Sequence, residues 1–359
     1  MTVNRDMANL ARSATTVPTA TAPGKNMLIN GAMTVHQRGG TIAATVNTQL
    51  LDMYASTLYD AGTPAVANVT QDSSAPTGFA NSMKFDVTTI ATGGGDYNSV
   101  KQRIEAQNLQ HLKYGTADAL TCTFSFWFKT TITGIYSAYF YHIDANYTYI
   151  REFTVAESDT WEFFQVTLPG YTSTNFGNDT GPGLEVGITL ASDSGTGAVD
   201  TWQAGGNTGG STNQVNGLSS TSNNIYTTGW QLEVGSVATD FEHESYGTTL
   251  NKALRYFEYQ DYAINTFAAV GFSNTTTSHQ MTLQYTPKRS YYTTIAVSTA
   301  SQWEVNRSGT DQQCTALAGS AGSRMCMTLI ATVSSGLTTG ECAALRSNAL
   351  NFITISAEL

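Results

Sequence analysis

The chain has 359 residues, only 12% of them charged, and a formal net charge of -10. That length gives room for two or three domains with ordinary buried cores. From Glu152 through Asn251 there is no Lys or Arg, while twelve Asp and Glu fall in the same stretch. A phosphate backbone is bound by clustered Lys and Arg that release counterions, so nucleic acid is not an expected partner. The same acidic block would repel polyanionic glycans and tilts any sugar ligand toward neutral or cation-bridged polymers; alternatively, the acids only keep a weakly charged protein soluble.

Residues 1–24 begin with a short amphipathic piece containing Arg5, Asp6 and Arg12 and run into a Thr/Ala/Pro-rich linker ending at Gly24. The piece has no apolar core, unlike a secretory leader, and it cannot bury enough surface to fold by itself. It reads as an arm that attaches to a neighbouring subunit. No run in the chain approaches the roughly 20 apolar residues of a membrane helix, so membrane insertion is not expected and assembly in a cytoplasm is.

Residues 25–245 carry strand signals at short spacing, separated by Gly, Asn and Asp turns. They are Ser82 to Val87, Ser99 to Ala106, Leu120 to Thr131, Gly134 to His142, Tyr147 to Val155, Trp161 to Leu168, Gly183 to Leu190 and Ile225 to Val234. In Thr123 to Lys129 the three rings Phe124, Phe126 and Phe128 share one face, opposite Ser125, Trp127 and Lys129. Eight such strands without intervening helices predict two packed sheets of jelly-roll type. The Gly/Asn/Thr-rich stretch from Ala191 to Asn224 reads as one large surface loop or insertion, the kind of segment where binding often resides.

The pattern then changes. A strand closes in a turn at Gly235 and Ser236, and Leu250, Ala253, Leu254 and Phe257 fall at helical spacing, which predicts a helical linker over residues 246–262. Strand text resumes from 263 to 359, at Ala263 to Phe272, His279 to Tyr285, Thr293 to Ser298, Trp303 to Asn306, Arg324 to Ala331 and Ala349 to Ile355. The fold class expected is therefore all-β: a jelly-roll β-sandwich, a short linking helix and a smaller C-terminal β-sandwich domain. No repeat of about 20 to 50 residues is present, which disfavours a β-helix.

Four stretches carry a resemblance. Asn26-Met27-Leu28-Ile29-Asn30-Gly31-Ala32-Met33-Thr34-Val35-His36-Gln37-Arg38-Gly39, Gln231-Leu232-Glu233-Val234-Gly235, Ala253-Leu254-Arg255-Tyr256-Phe257-Glu258 and the terminal Ile355-Ser356-Ala357-Glu358-Leu359 resemble the punctuation of bacteriophage tail-fibre and receptor-binding proteins. The resemblance brackets roughly residues 25 to 359. It implies a virion structural protein, a homotrimer, that docks on other tail or capsid proteins through residues 1–24 and attaches to host cell-surface glycan by multivalent binding. Two other roles stay open: a capsid decoration, head-fibre or tail-adaptor protein without a receptor, and a glycan depolymerase whose site lies between subunits.

Sugar sites combine exposed aromatic rings with amide and carboxylate partners. The densest aromatic text is Ile135 to His142 followed by Tyr147-Thr148-Tyr149. With the Phe140 side in the core, Tyr139 and Tyr141 line a groove on the other face, a groove that related jelly-roll carbohydrate-binding modules use. Trp202, set among glycines, is the second expected stacking platform; the structural alternative for all three is ordinary packing, as it is for the Tyr291-Tyr292 pair and Trp303, the possible contacts of the C-terminal domain.

A hydrolytic pair would need two carboxylates about 5 to 10 Å apart. Glu157, Asp159 and Glu162, or Asp193 and Asp200, are close in sequence but are ordinary turn residues, and no enzyme signature is present. Asp193 with Asp200, or Asp179, are conceivable Ca²⁺ ligands, though no EF-hand pattern exists. His36, His111, His142, His243 and His279 form no metal motif, Gly93-Gly94-Gly95-Asp96 lacks the Lys of a phosphate loop, and no cofactor is expected. Cys122, Cys314, Cys326 and Cys342 show no C-x-x-C spacing and read as reduced, buried thiols, with a Cys314–Cys326 hairpin disulfide as the alternative.

Overall fold

The computed structural model describes residues 24–45, 47–59, 66–90, 97–192, 196–206, 209–291, 294–307 and 310–359. All of the N-terminal arm but Gly24, together with the glycine run 93–95, Asp96, Asp193 and Tyr292, lies outside them. The chain divides into two units, one holding residues up to 34, 41–50 and 54–245, the other holding 35–40, 51–53 and 246–359. The division is not linear along the chain, since two short early stretches belong to the later unit, and the linking helix belongs to it too.

The first unit is a sandwich of two six-stranded sheets. One sheet runs, in spatial order, β1 (Ile42–Ala44), β3 (Val66–Asp72), β4 (Ser82–Thr89), β12 (Asn224–Val234), β6 (Cys122–Thr130) and β9 (Glu162–Leu168). The other runs β2 (Tyr54–Tyr59), β5 (Tyr97–Glu105), β10 (Pro182–Ser192), β7 (Gly134–His142), β8 (Tyr147–Val155) and β11 (Trp202–Ala204). All ladders within these sheets are antiparallel, and the chain crosses repeatedly from sheet to sheet, as in a jelly roll.

Alternation in β6 explains the core. Phe124, Phe126 and Phe128 are fully buried and meet rings from both sheets. Phe124 packs edge-on to Trp230 at 5.1 Å and Phe126 edge-on to Phe153 at 5.0 Å, while Tyr54 lies 5.2 Å from Trp230. Edge-to-face packing satisfies the ring quadrupoles, and each buried ring of this size contributes roughly 1.5–3 kcal/mol.

The Asn26 to Gly31 segment completes the first sheet. β12 pairs with β4 only over Asn224–Thr227, and its ladder with β6 is interrupted between Thr228 and Gln231. Past that point Met27 donates to the Leu232 carbonyl at 2.9 Å and Trp230 donates to Gly31 at 3.0 Å. The Asn26 side chain accepts from Leu232 N–H at 3.0 Å and donates to the Trp230 carbonyl at 2.9 Å. Gly31 is required by space, because a Cβ there would overlap the Trp230 carbonyl oxygen.

In the second unit, helix α1 (Tyr246–Leu254) is followed directly by β13 (Phe257–Tyr262). The helix therefore stops at Leu254, short of the expected limit at residue 262, and Phe257 begins a strand. β13 joins β21 (Asn351–Ser356) and β16 (Thr294–Val297) in a three-stranded sheet. Six more strands close into a barrel in the order β14 (Phe267–Ser273), β15 (Ser278–Gln284), β19 (Cys326–Val333), β18 (Thr310–Gly322), β17 (Trp303–Arg307) and β20 (Cys342–Ser347). Trp303, Val305, Leu329, Ala331 and Leu345 fill this unit's core.

The early stretches of this unit have defined partners. Arg38 stacks on the Phe257 ring at 3.7 Å and pairs with Glu358 at 2.5 Å. Gln37 donates to Asp52 at 2.6 Å and to the Phe257 carbonyl at 3.0 Å. Three of the four resembling stretches thus converge on one structure. Lys288, whose side chain is wholly buried, donates to Glu258 at 2.7 Å and to the Leu254 carbonyl at the end of α1.

All four cysteines are free. Cys122 and Cys314 are buried, Cys326 is half-buried, and Cys342 is exposed, contrary to the expectation of four buried thiols. Cys314 stands opposite Val333 on the neighbouring strand and Cys326 opposite Gln284, so the two are not hairpin partners.

Candidate functional site

The outer face of the second sheet of the sandwich is built by alternation in three neighbouring strands. In β7, Tyr136, Ala138 and Phe140 enter the core, which sends Ser137, Tyr139 and Tyr141 outward. Registers place Glu185 of β10 opposite Tyr141 and Gly187 opposite Tyr139, and Arg103 and Lys101 of β5 opposite Glu185 and Gly187. One row therefore reads Arg103, Glu185, Tyr141, and the next Lys101, Gly187, Tyr139.

Glu185 organises this face. Its Oε2 accepts from Arg103 Nε at 2.7 Å and lies 3.4 Å from Lys101 Nζ, and its Oε1 accepts from the Tyr139 hydroxyl at 2.9 Å. The Tyr139 ring lies across Gly187, where a Cβ would overlap it. Burial, then the Glu185 charge, pushes the Tyr139 hydroxyl well above the ordinary tyrosine range. Burial lowers the Lys101 pKa against the opposing pull of Glu185.

Part of the face is roofed by the chain itself. Within Ala191 to Asn224, Ser211 N–H donates to Ser137 Oγ at 3.1 Å, Val215 N–H to the Ile135 carbonyl at 2.8 Å, and Thr189 Oγ1 to the Gly209 carbonyl at 2.8 Å. A Cβ at Gly206 would overlap the Tyr141 ring, and one at Gly209 the Tyr97 hydroxyl. The stretch is therefore a strapped cover that includes strand β11 and a Thr196–Gly210 bridge, rather than one unstructured loop.

The three aromatic candidates separate. Tyr139 is 1% exposed and offers no free ring face to a sugar in this arrangement. Tyr141 is half-buried, with its hydroxyl on Asn146 Oδ1 at 3.1 Å. Trp202 sits on β11 opposite Tyr149, hence on the other face of the sheet. There it contacts Tyr171 at 5.1 Å and Tyr149 at 5.5 Å and donates to the Pro169 carbonyl at 3.1 Å. It belongs to an aromatic cluster with Tyr114, His142 and Phe176, in which His142 stacks on Phe176 at 4.2 Å. Trp202 and Tyr141 cannot hold one sugar between them.

Asp159, Glu162, Asp179 and Asp200 are engaged in structure. Asp159 pairs with Lys129 at 3.2 Å, Asp200 with Arg151 at 2.6 Å, and Glu162 accepts the Ala156 and Glu157 N–H groups. Asp179 caps the Gly181 N–H at 2.8 Å. Among the described residues no three His, Cys, Asp or Glu side chains are grouped to hold a metal. In the second unit Trp303 is fully buried, Tyr291 is 63% exposed, and an open depression of about 480 Å³ lies beside Tyr262, Thr282 and Gln284.

Sequence reasoning missed Lys101, Arg103 and Glu185. A signal existed, since β5 alternates Ser99, Lys101, Arg103 and Glu105 against Val100 and Ile104, but the single acid that joins the two cations lies 82 positions from Arg103.

No protein-family model matches the chain, and no curated protein matches it. Solved structures similar to part of it include the enzymatically active domain of tailspike protein 4 of bacteriophage CBA120, at 12% identity and TM-score 0.31 over 59% of this chain and 22% of that one. Others are the family 11 carbohydrate-binding module of the Lic26A-Cel5E cellulase of Clostridium thermocellum, at 11% identity and TM-score 0.28 over 56% and 99%, and the module TmCBM61 in complex with β-1,4-galactotriose, at 12% and 0.27 over 59% and 100%. With TM-scores near 0.3, these likenesses bear on neither ligand nor activity.

Proposed function

We propose that this chain is a non-catalytic phage virion protein, a tail-fibre component that attaches to host cell-surface glycan through the outer face of the sandwich's second sheet. The observation that carries the reading is the half-buried Tyr141 ring, which the strap covers only in part at Gly206, beside the Arg103–Glu185 pair. A ring edge for the apolar face of a pyranose, next to fixed polar groups for its hydroxyls, is the composition of a sugar site. Glu185 already takes three donors, which commits it to holding the site together.

The virion setting is supported by the four stretches that resemble phage receptor-binding proteins. One weak site per subunit becomes effective when identical subunits present it together, which is the role the homotrimer and the docking arm would play. The test is competition. The full-length protein, shown to be folded and assembled, is titrated against virions for adsorption to host cells. Dose-dependent blocking that is lost in Tyr141→Ala supports the reading, whereas absence of blocking moves the chain to a decoration or adaptor role. Release of reducing ends from host polysaccharide would make it a depolymerase.

A further inference from the structure

We infer that the outer-face site selects a carboxylate-bearing sugar, a uronic or similar acidic residue, which it grips through the free end of Arg103. The inference rests on the glycan-binding reading and narrows it to a ligand class.

The geometry of one guanidinium carries it. Arg103 uses Nε to bind Glu185 Oε2 at 2.7 Å, and among the described residues its two terminal nitrogens have no hydrogen-bond partner. Its side chain is 33% exposed, while those of Glu185 and Lys101 are 6% and 10% exposed. The arginine is therefore fixed at its inner edge, and its outer edge presents two parallel N–H donors to solvent. That fork matches a carboxylate in a bidentate pair, which a lysine cannot reproduce.

The local charges agree. Lys101 and Arg103 share the single carboxylate of Glu185, whose remaining oxygen is occupied by the Tyr139 hydroxyl. Glu105, farther along the same face of β5, is fully buried and takes the Gln107 amide. At the exposed part of the row the cations outnumber the acids, so an incoming anion meets attraction there. The acidic block from Glu152 to Asn251 pointed to a neutral ligand when charge was counted along the sequence, but the sheet brings β5 cations beside its member Glu185. Tyr141, opposite Glu185 in register, lies where the ring of the same sugar would stack.

The test compares oligogalacturonides, hyaluronan oligosaccharides and sialyllactose with their carboxyl-reduced counterparts, using calorimetry on the full-length protein. A charge-assisted hydrogen bond should make at least one acidic probe bind roughly 10- to 100-fold more tightly than its reduced form. Arg103→Ala should abolish that difference, so that the acidic form binds no more tightly than the reduced one. Arg103→Lys, which keeps the charge and most of the stem, should recover only part of it, and melting curves of both variants confirm that they are folded. Equal binding of acidic and reduced forms, or a preference that survives Arg103→Ala, overturns the acidic class and leaves glycan binding standing. If neutral glycans from the host surface bind and none of the acidic probes does, the class is also overturned; if no glycan of either kind binds, the parent reading falls with it.

Discussion

Replacing Lys288 by methionine should destabilise the second unit by about 3–5 kcal/mol, the range for removing one partner of a buried ion pair. The Lys288 side chain is wholly inaccessible, and its ammonium has two strong acceptors, Glu258 Oε2 at 2.7 Å and the Leu254 carbonyl. Methionine fills the stem's volume but leaves that carbonyl without its donor. Glu258, 10% exposed, keeps Gln260 Nε2 at 2.7 Å and Thr286 N–H at 2.8 Å. Glu258→Met strands the ammonium instead and should cost as much, whereas the double variant Lys288→Met/Glu258→Met removes both charges and should recover most of the loss. With two units present, a single global transition is not assumed. The assay is urea-dependent hydrogen exchange read on peptides of β15, β17 and β19. At an m-value of about 2 kcal/mol/M, a loss of about 3 kcal/mol moves the midpoint by about 1.5 M. A shift below about 0.5 M in Lys288→Met, or strictly additive effects in the double variant, would refute the argument.

The same pair sets a pH limit. Burial is the largest single influence on Glu258 and raises its pKa, but Lys288, Gln260 and Thr286 together hold it below the ordinary carboxylate value. A depressed carboxyl stabilises the fold above its unfolded pKa of about 4.3, and this contribution is lost as pH falls through the lower folded value. Subtracting the acid unfolding curve of Glu258→Gln from that of the wild type should reveal this loss; superimposable acid limbs would contradict it. Gly31→Ala should cost the first unit about 1–3 kcal/mol in chemical denaturation, since the added methyl meets a backbone carbonyl that cannot rotate away. In native protein a thiol reagent should label Cys342 first and Cys326 more slowly, with Cys122 and Cys314, both buried and pushed up to about 12, reacting only after unfolding; mass spectrometry of the labelled peptides decides. Tyr141→Ala should weaken glycan binding about 10-fold in calorimetry with little change in melting temperature, and Trp202→Ala should do the reverse.

Strands whose burial is strongly one-sided were legible in the sequence. β7 and β8 match their expected limits, because Tyr136, Ala138 and Phe140 alternate with residues of the other face. Others were not. β18 is built from small and polar residues, Thr310-Asp311-Gln312-Gln313-Cys314 onward, whose place is set by neighbours in a closed barrel rather than by their own periodicity. Phe257 satisfied a helical spacing with Leu250 and Ala253, yet its ring lies under Arg38, a contact between residues more than 200 positions apart. The site followed the same rule. Alternation placed Tyr139 and Tyr141 on one face, but only register revealed the Glu185 that joins two cations, and only the packing of Tyr139 over Gly187 and against Glu185 revealed which ring is covered.

The second unit's use of residues 35–40 and 51–53 gives synthesis of this chain a definite order. Arg38 and Asp52 emerge from the ribosome early, but Phe257 and Glu358 follow only after the whole sandwich has been made. At a few to tens of residues per second, the early stretch waits many seconds with its charges hydrated and its apolar neighbours uncovered. A chain that stops short of Glu358 leaves Arg38 without its carboxylate. Closure of this unit thereby waits for the chain to reach Glu358, and a copy cut before that residue would present proteases with residues 35–40 lacking their partners as well as a broken end.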